Sequence, residues 1–182
     1  PSGGAAPAGE TFPKAPVVLV SIDTLRSDRL PAYGWKKVKT PNLDRLAADS
    51  YLFEKAFAPT PMTFPSHTTM LTGMLPPEHG VRNNSGFVFR PERHPSLPKV
   101  LKGQGYATGG AVSTYVLRRE TGLGALFDWY EDSVPTNPDV ATVRYQRPGS
   151  VTLGFAKEWL SAHAGGPFFL FFHIFEPHRP YE

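Results

Sequence analysis

The sequence predicts an α/β fold, a mostly parallel sheet flanked by helices. Three observations lead there. Two continuous apolar runs, Val17 to Ile22 and Phe168 to Phe175, have the β-branched and aromatic character of strands buried on both faces. A four-residue apolar spacing at Val151, Phe155 and Trp159 marks a helix immediately before the second run. Polar clusters stand where strands finish, at Asp23, Thr63 and His178. Strand and helix alternating in this way give a parallel sheet, and ligands gather beyond the carboxyl ends of its strands.

The 182 residues suffice for one domain with a sizeable core. The net charge is +3, and its 19 basic residues are scattered, which argues against nucleic acid as a partner. There is no cysteine, so disulfides and thiolate metal sites are excluded. No apolar run is long enough for a membrane span: Phe168 to Phe175 is strand-length and contains His173. Residues 1–14 read as a linker rich in Gly, Ala and Pro, followed by one domain over 15–182. Such a start is compatible with an upstream export signal or lipid anchor, hence an extracytoplasmic location.

In chain order, the first strand ends at Asp23, either a hard-oxygen metal ligand or a turn cap. Thr40 to Ala48 reads as a structural helix, with Pro41 at its first position and Leu43, Leu46 and Ala47 on one face. Tyr51 to Phe57 reads as a short strand. The stretch Thr63 to Gly73 has the pattern of a strand-to-helix elbow. Pro65 suits a first turn, Ser66, Thr68 and Thr69 are capping types, and Gly73 ends the helix. Thr63 then lies at a helix N-terminus, where free N–H groups favour an anion or a developing alkoxide. It is a nucleophile if its pKa is lowered, and a capped turn otherwise. Glu78 to Gly86 is a polar loop in which Asn83 and Asn84 are either anion donors or ordinary turn residues. Leu97 to Tyr106 is a short helix, and Ala107 to Ser113 a strand weakened by Gly109 and Gly110. Residues 117–132 are irregular, and 133–148 form a loop. Val151 to Ala164 is the clearest helix, with Ser150 as cap, and its aromatic stripe belongs to a core.

These pieces, in this order, resemble the amino-terminal part of the sulfatase family within the alkaline phosphatase superfamily. The matching segments are Val17 to Asp28, Thr40 to Ala47, Phe53 to Phe57, and Pro65-Ser66-His67 through Gly73. His79 to Asn84, Leu101 to Thr108, and Pro167 to Leu170 with Pro177-His178-x-Pro180-Tyr181 complete them. The resemblance implies an alkaline-phosphatase-like fold, of which this chain is the front portion. It implies a hydrolase or transferase of sulfate or phosphate esters, acting on a small-molecule, polysaccharide or lipid ester.

It also implies a divalent metal (Zn, Mn or Ca) held by Asp23 and Thr63. Thr63 and His178 are then catalytic, as nucleophile and general acid, while Asn84 and His67 contact substrate. Thr24 replaces a second aspartate of many sulfatases. Thr63 stands where many carry a cysteine oxidised to formylglycine. A threonine has a methyl on Cβ and cannot become an aldehyde, so that route is closed. Thr63-Phe64-Pro65-x-His67 is similar instead to the threonine motif of nucleotide pyrophosphatase/phosphodiesterases. The family's Lys-x-His pair falls on Ser113 and Tyr115, which do not match it. The second metal motif, Asp-His-Gly or Asp-Asn-Gly, does not occur in these residues. The other expectation is therefore a truncated or non-catalytic fragment with a structural or binding role.

Overall fold

A computed structural model describes residues 12–135 and 145–179. The linker over 1–11, the middle of the 133–148 loop and the Pro180-Tyr181 end of the last motif lie outside them. Four parallel strands form one sheet: β1 (Val17–Ile22), β2 (Ala107–Ala111), β3 (Trp129–Glu131) and β4 (Phe168–Ile174), in the order β1-β4-β2-β3. Parallel neighbours require crossovers: α1 (Pro41–Ala48), α2 (Thr63–Thr72), α3 (Pro76–His79) and α4 (Leu97–Gly103) lie between β1 and β2, 3-10 turns lie between β2 and β3, and α5 (Gly149–His163) lies between β3 and β4.

The register of β1 on β4 pairs Leu19 with Phe171 and Ser21 with His173. Side chains alternate along each strand, so Val17, Leu19, Phe169 and Phe171 share one face. There they pack with Phe64 and Leu71 of α2, Val112, Leu117 and Phe127. Phe168 and Leu170 face the other way, against Ala156 and Trp159 of α5. The sheet is thus a middle layer, with α2 on one side and α5 on the other. At the carboxyl ends of β1 and β4 the same alternation puts Ser21 and His173, and Asp23 one residue past β1, on the α2 side near the start of that helix.

Several expectations need correction. β4 is buried on both faces, but β1 is not: Val18 and Val20 are 50% and 53% exposed, on the side that α5 does not reach. Residues 51–57 form no strand. Tyr51, Phe53 and Phe57 lie on the surface around a turn at Glu54-Lys55, without a ladder partner among the described residues. The segment 117–132 holds more order than its glycines suggest, with 3-10 turns leading into β3. α5 starts at Gly149, not after a Ser150 cap, because the Glu176 carboxylate accepts from Gly149 N–H at 2.9 Å. Its buried stripe is Thr152, Ala156 and Trp159, so Val151 turns outward. No described helix is long and apolar enough to cross a membrane.

Candidate active site

α2 begins at Thr63, four residues earlier than a Ser66 cap would place it. Met62 precedes it in an extended conformation and offers no side-chain cap. The orphan donors of the first turn are dealt with otherwise. Pro65 has none, and Phe64 N–H is accepted by Asn84 Oδ1 at 2.9 Å, across the loop that follows α3. Ser66 N–H already bonds Met62 O. The N–H left at the helix mouth, among the described residues, is that of Thr63 itself.

Thr63 Oγ1 donates to Asp23 Oδ2 at 3.1 Å. Asp23 follows β1, and its own N–H extends the ladder to Ile174 O at 3.0 Å. Backbone pairing therefore fixes where this carboxylate stands. It is 8% exposed. Burial pushes its pKa up, but the hydrogen bond from His173, with Thr63 and the nearby histidines, holds it below the usual carboxylate range. Asp23 is an anion at neutral pH. Its Oδ2 takes two donors, Thr63 and His173 Nε2 at 3.4 Å, whereas Oδ1 takes none among the described residues.

His67 lies one turn along α2, buried beneath Thr63. Its Nδ1 donates to Thr63 O at 2.6 Å, and Nε2 accepts from Ser21 Oγ at 2.8 Å. Burial and the neighbouring His173 lower its pKa to about 3, so the ring is neutral. The resemblance gives His67 a substrate contact; in the fold its two ring nitrogens bond Thr63 O and Ser21 Oγ, tying α2 to β1. Asn84 lies half-buried at the helix start, with its amide NH₂ free of hydrogen bonds among the described residues. His178 stands further off. Its Nδ1 donates to Arg179 O at 2.7 Å, and its ring packs on Phe175 with centroids 4.3 Å apart. No hydrogen bond links it to Asp23 or Thr63. Thr24 is exposed and holds φ at 55°, a costly conformation for a β-branched residue.

Sequence reasoning therefore brought together Asp23, Thr63, His67 and Asn84, and missed Ser21, Ser113 and His173. One signal for His173 was present, a lone ionisable residue inside an all-apolar strand, which is the informative exception in any buried run.

A family model described as Sulfatase matches residues 16–182. The N-acetylgalactosamine-6-sulfatase of Sus scrofa is 34% identical over 103 residues, covering 50% of this chain and 20% of that protein. The chain spans about a fifth of the length of the curated relatives it matches. The phosphonate monoester hydrolase of Agrobacterium radiobacter superposes with a TM-score of 0.72 at 24% identity, over 91% of this chain and 41% of that one. A protein solved in complex with its substrate D-glucosamine-2-N,6-O-disulfate gives 0.73 at 22% identity, over 90% and 35%. The fold is the alkaline-phosphatase-like one.

Proposed function

The chain belongs to the sulfatase family, and on that premise we propose that it carries the nucleophile of a metal-dependent hydrolase of sulfate or phosphate esters, with Thr63 as the attacking residue. The supporting observation is the 3.1 Å hydrogen bond from Thr63 Oγ1 to an anionic, buried Asp23 at the mouth of α2. That bond orients the hydroxyl with its lone pairs away from the carboxylate. Thr63 also supplies an N–H, free among the described residues, at the positive end of the helix, which favours the negative charge that develops on ester oxygens.

The oxygen donors suit a divalent cation, hard Ca²⁺ and Mn²⁺ or borderline Zn²⁺, which also takes carboxylate oxygen. Asp23 Oδ1 and Thr63 Oγ1 would be the two oxygen ligands from this chain; no cluster of three or more His, Cys, Asp or Glu that could hold a metal occurs among the described residues. Further ligands must come from elsewhere in the protein. When bound, the cation lowers the hydroxyl pKa and polarises the ester.

In the reaction, Thr63 Oγ1 passes its proton along the hydrogen bond to Asp23 Oδ2 and from there to solvent, the oxygen attacks sulfur or phosphorus, and the bond to the alcohol oxygen breaks. The departing alkoxide takes a proton, with His178 as the candidate donor. The resulting Thr63 ester is released by water. Asn84, whose Oδ1 accepts from Phe64 N–H at the helix start, is the candidate to hold a non-bridging oxygen through its NH₂. A threonine ester needs an external water for release, whereas a formylglycine hydrate expels sulfate on its own. That difference favours phosphate esters, while family membership and the sulfated saccharide bound by one structural relative favour sulfates.

The test uses the full-length protein with aryl sulfate, aryl phosphate and phosphodiester substrates, each metal being added back after chelation. Thr63→Ala should lower metal-dependent turnover by at least about 10³-fold while leaving the unfolding temperature close to wild type. Thr63→Ser should keep activity, and acid-quenched intact mass should show one sulfuryl or phosphoryl group on the chain. Wild-type-like turnover in Thr63→Ala removes Thr63 as nucleophile. No turnover of any substrate by the wild type supports the non-catalytic alternative.

A further inference from the structure

We propose that His173 is the positioning residue of this site: from the interior it fixes the Asp23 carboxylate so that Oδ2 serves Thr63 and Oδ1 is left for a cation. The inference rests on the reading of Asp23 and Thr63 as the reaction centre. His173 is completely buried on β4, paired in register with Ser21 of β1. Its two ring nitrogens have different roles, and its neighbours dictate them. Nδ1 faces Ser113 N at 3.4 Å. A backbone N–H can only donate, so Nδ1 carries a lone pair. The proton of the neutral ring is then on Nε2, aimed at Asp23 Oδ2 at 3.4 Å.

This tautomer decides what His173 can do. An Nε2 that bears a proton offers no lone pair to a metal. A ligating histidine ordinarily donates its other N–H to an acceptor, and Nδ1 here meets a donor instead. His173 therefore acts on Asp23 and not on a cation. His67, edge-on to it with ring centroids 4.9 Å apart, has the opposite tautomer, with Nδ1–H on Thr63 O. One histidine thus holds the carboxylate and the other holds the backbone of the hydroxyl that bonds to it.

The ring is itself braced. Ser113 Oγ donates to His173 O at 3.1 Å and accepts from Thr152 Oγ1 at 2.6 Å, and Arg147 Nε donates to Thr152 at 2.9 Å. All four residues are at most 3% exposed. Ser113 occupies the position where the family resemblance would place a lysine; its short side chain caps the strand end behind His173.

Two arms test this on the full-length protein. In metal-free protein labelled with ¹⁵N-histidine, long-range ¹H–¹⁵N spectra report each tautomer, with His173 assigned by its loss in His173→Gln. Nε2–H with a bare Nδ1, and a shift of that proton in Asp23→Asn, is the expected result. An Nδ1–H tautomer, or no response to Asp23→Asn, overturns the proposal. In the second arm, Zn²⁺ and Mn²⁺ are titrated calorimetrically into chelator-stripped protein. His173→Leu should weaken binding by about 10–100-fold, and His173→Gln, which returns an N–H near the Nε2 position, should recover most of the loss. Equal affinity in His173→Leu and wild type overturns the proposal. If His173→Leu does not fold, the Gln variant and the tautomer decide. If the wild type takes up no metal, the metal-dependent reading fails, and the tautomer arm alone decides whether His173 positions Asp23.

Discussion

Asn84 reaches the start of α2 from a loop, and its amide has two ends with separable consequences. Oδ1 replaces the missing N-cap by accepting from Phe64 N–H, and NH₂ is the end that the proposed function assigns to a substrate oxygen. Asn84→Ala should remove both, costing about 1 kcal/mol of stability as for other lost caps. Asn84→Asp keeps an acceptor and adds a favourable negative charge at a helix start, so urea unfolding should match wild type. The same variant lacks the donor, and turnover should fall by about 10²–10³-fold. Parallel loss of stability and activity in both variants would mean that Asn84 is only a cap. At this scale the sequence was legible for Asp23, Thr63 and Asn84, because each follows a recognisable strand end or turn. His173 was not. Its apolar neighbours identify a buried strand, but which ring nitrogen meets which partner depends on Ser113, 60 residues away.

The glycines of β2 show what an element-level pattern conceals. Read alone, Gly109 and Gly110 weaken a strand. In the sheet they are opposite-facing seats for aromatic rings. A Cβ on Gly109 would lie 2.7 Å from the Trp159 ring of α5, and one on Gly110 would lie 2.5 Å from Tyr130. β2 is one of two strands with neighbours on both sides, so the backbone has nowhere to shift. Gly109→Ala and Gly110→Ala should each destabilise by about 1–3 kcal/mol, read as a lower denaturant midpoint at unchanged slope. Gly154→Ala is the control, because a Cβ there meets nothing within 4 Å and glycine is a poor helix former; it should be neutral or stabilising. The expected strand at residues 51–57 failed for the converse reason. Its composition suits a strand, but the segment turns at Glu54-Lys55 and pairs with neither edge strand, β1 or β3, and composition without a ladder partner makes no strand.

Across the whole molecule, the site is tied to the far side of the sheet by a continuous line of buried polar groups. Arg147 is 3% exposed and anchors the line's outer end. Its Nη1 donates to Glu131 Oε1 at 2.7 Å and Nη2 to Glu131 O at 3.2 Å, while Nε leads through Thr152 and Ser113 to His173 and Asp23. A buried guanidinium without its carboxylate is costly, so the Glu131 charge contributes to stability. Burial pushes the Glu131 pKa up, but hydrogen bonds from Ser133 and Arg147, with the Arg147 charge, hold it below the ordinary value of 4.5. The sign follows from linkage. The unfolded chain binds the proton more readily, so this contribution is complete above about pH 4.5 and is lost as pH falls through the lower folded value. Glu131→Gln should therefore destabilise by about 1–3 kcal/mol at pH 7, measured by urea unfolding, and the gap to wild type should narrow below about pH 4. A gap that stays constant from pH 7 to pH 3 would show that the carboxylate's charge does not hold Arg147. The narrowing should also be accompanied, at pH 7, by a changed His173 imidazole signal in Glu131→Gln if the polar line is mechanically continuous, since releasing Arg147 frees Thr152 and then Ser113 to turn away from His173.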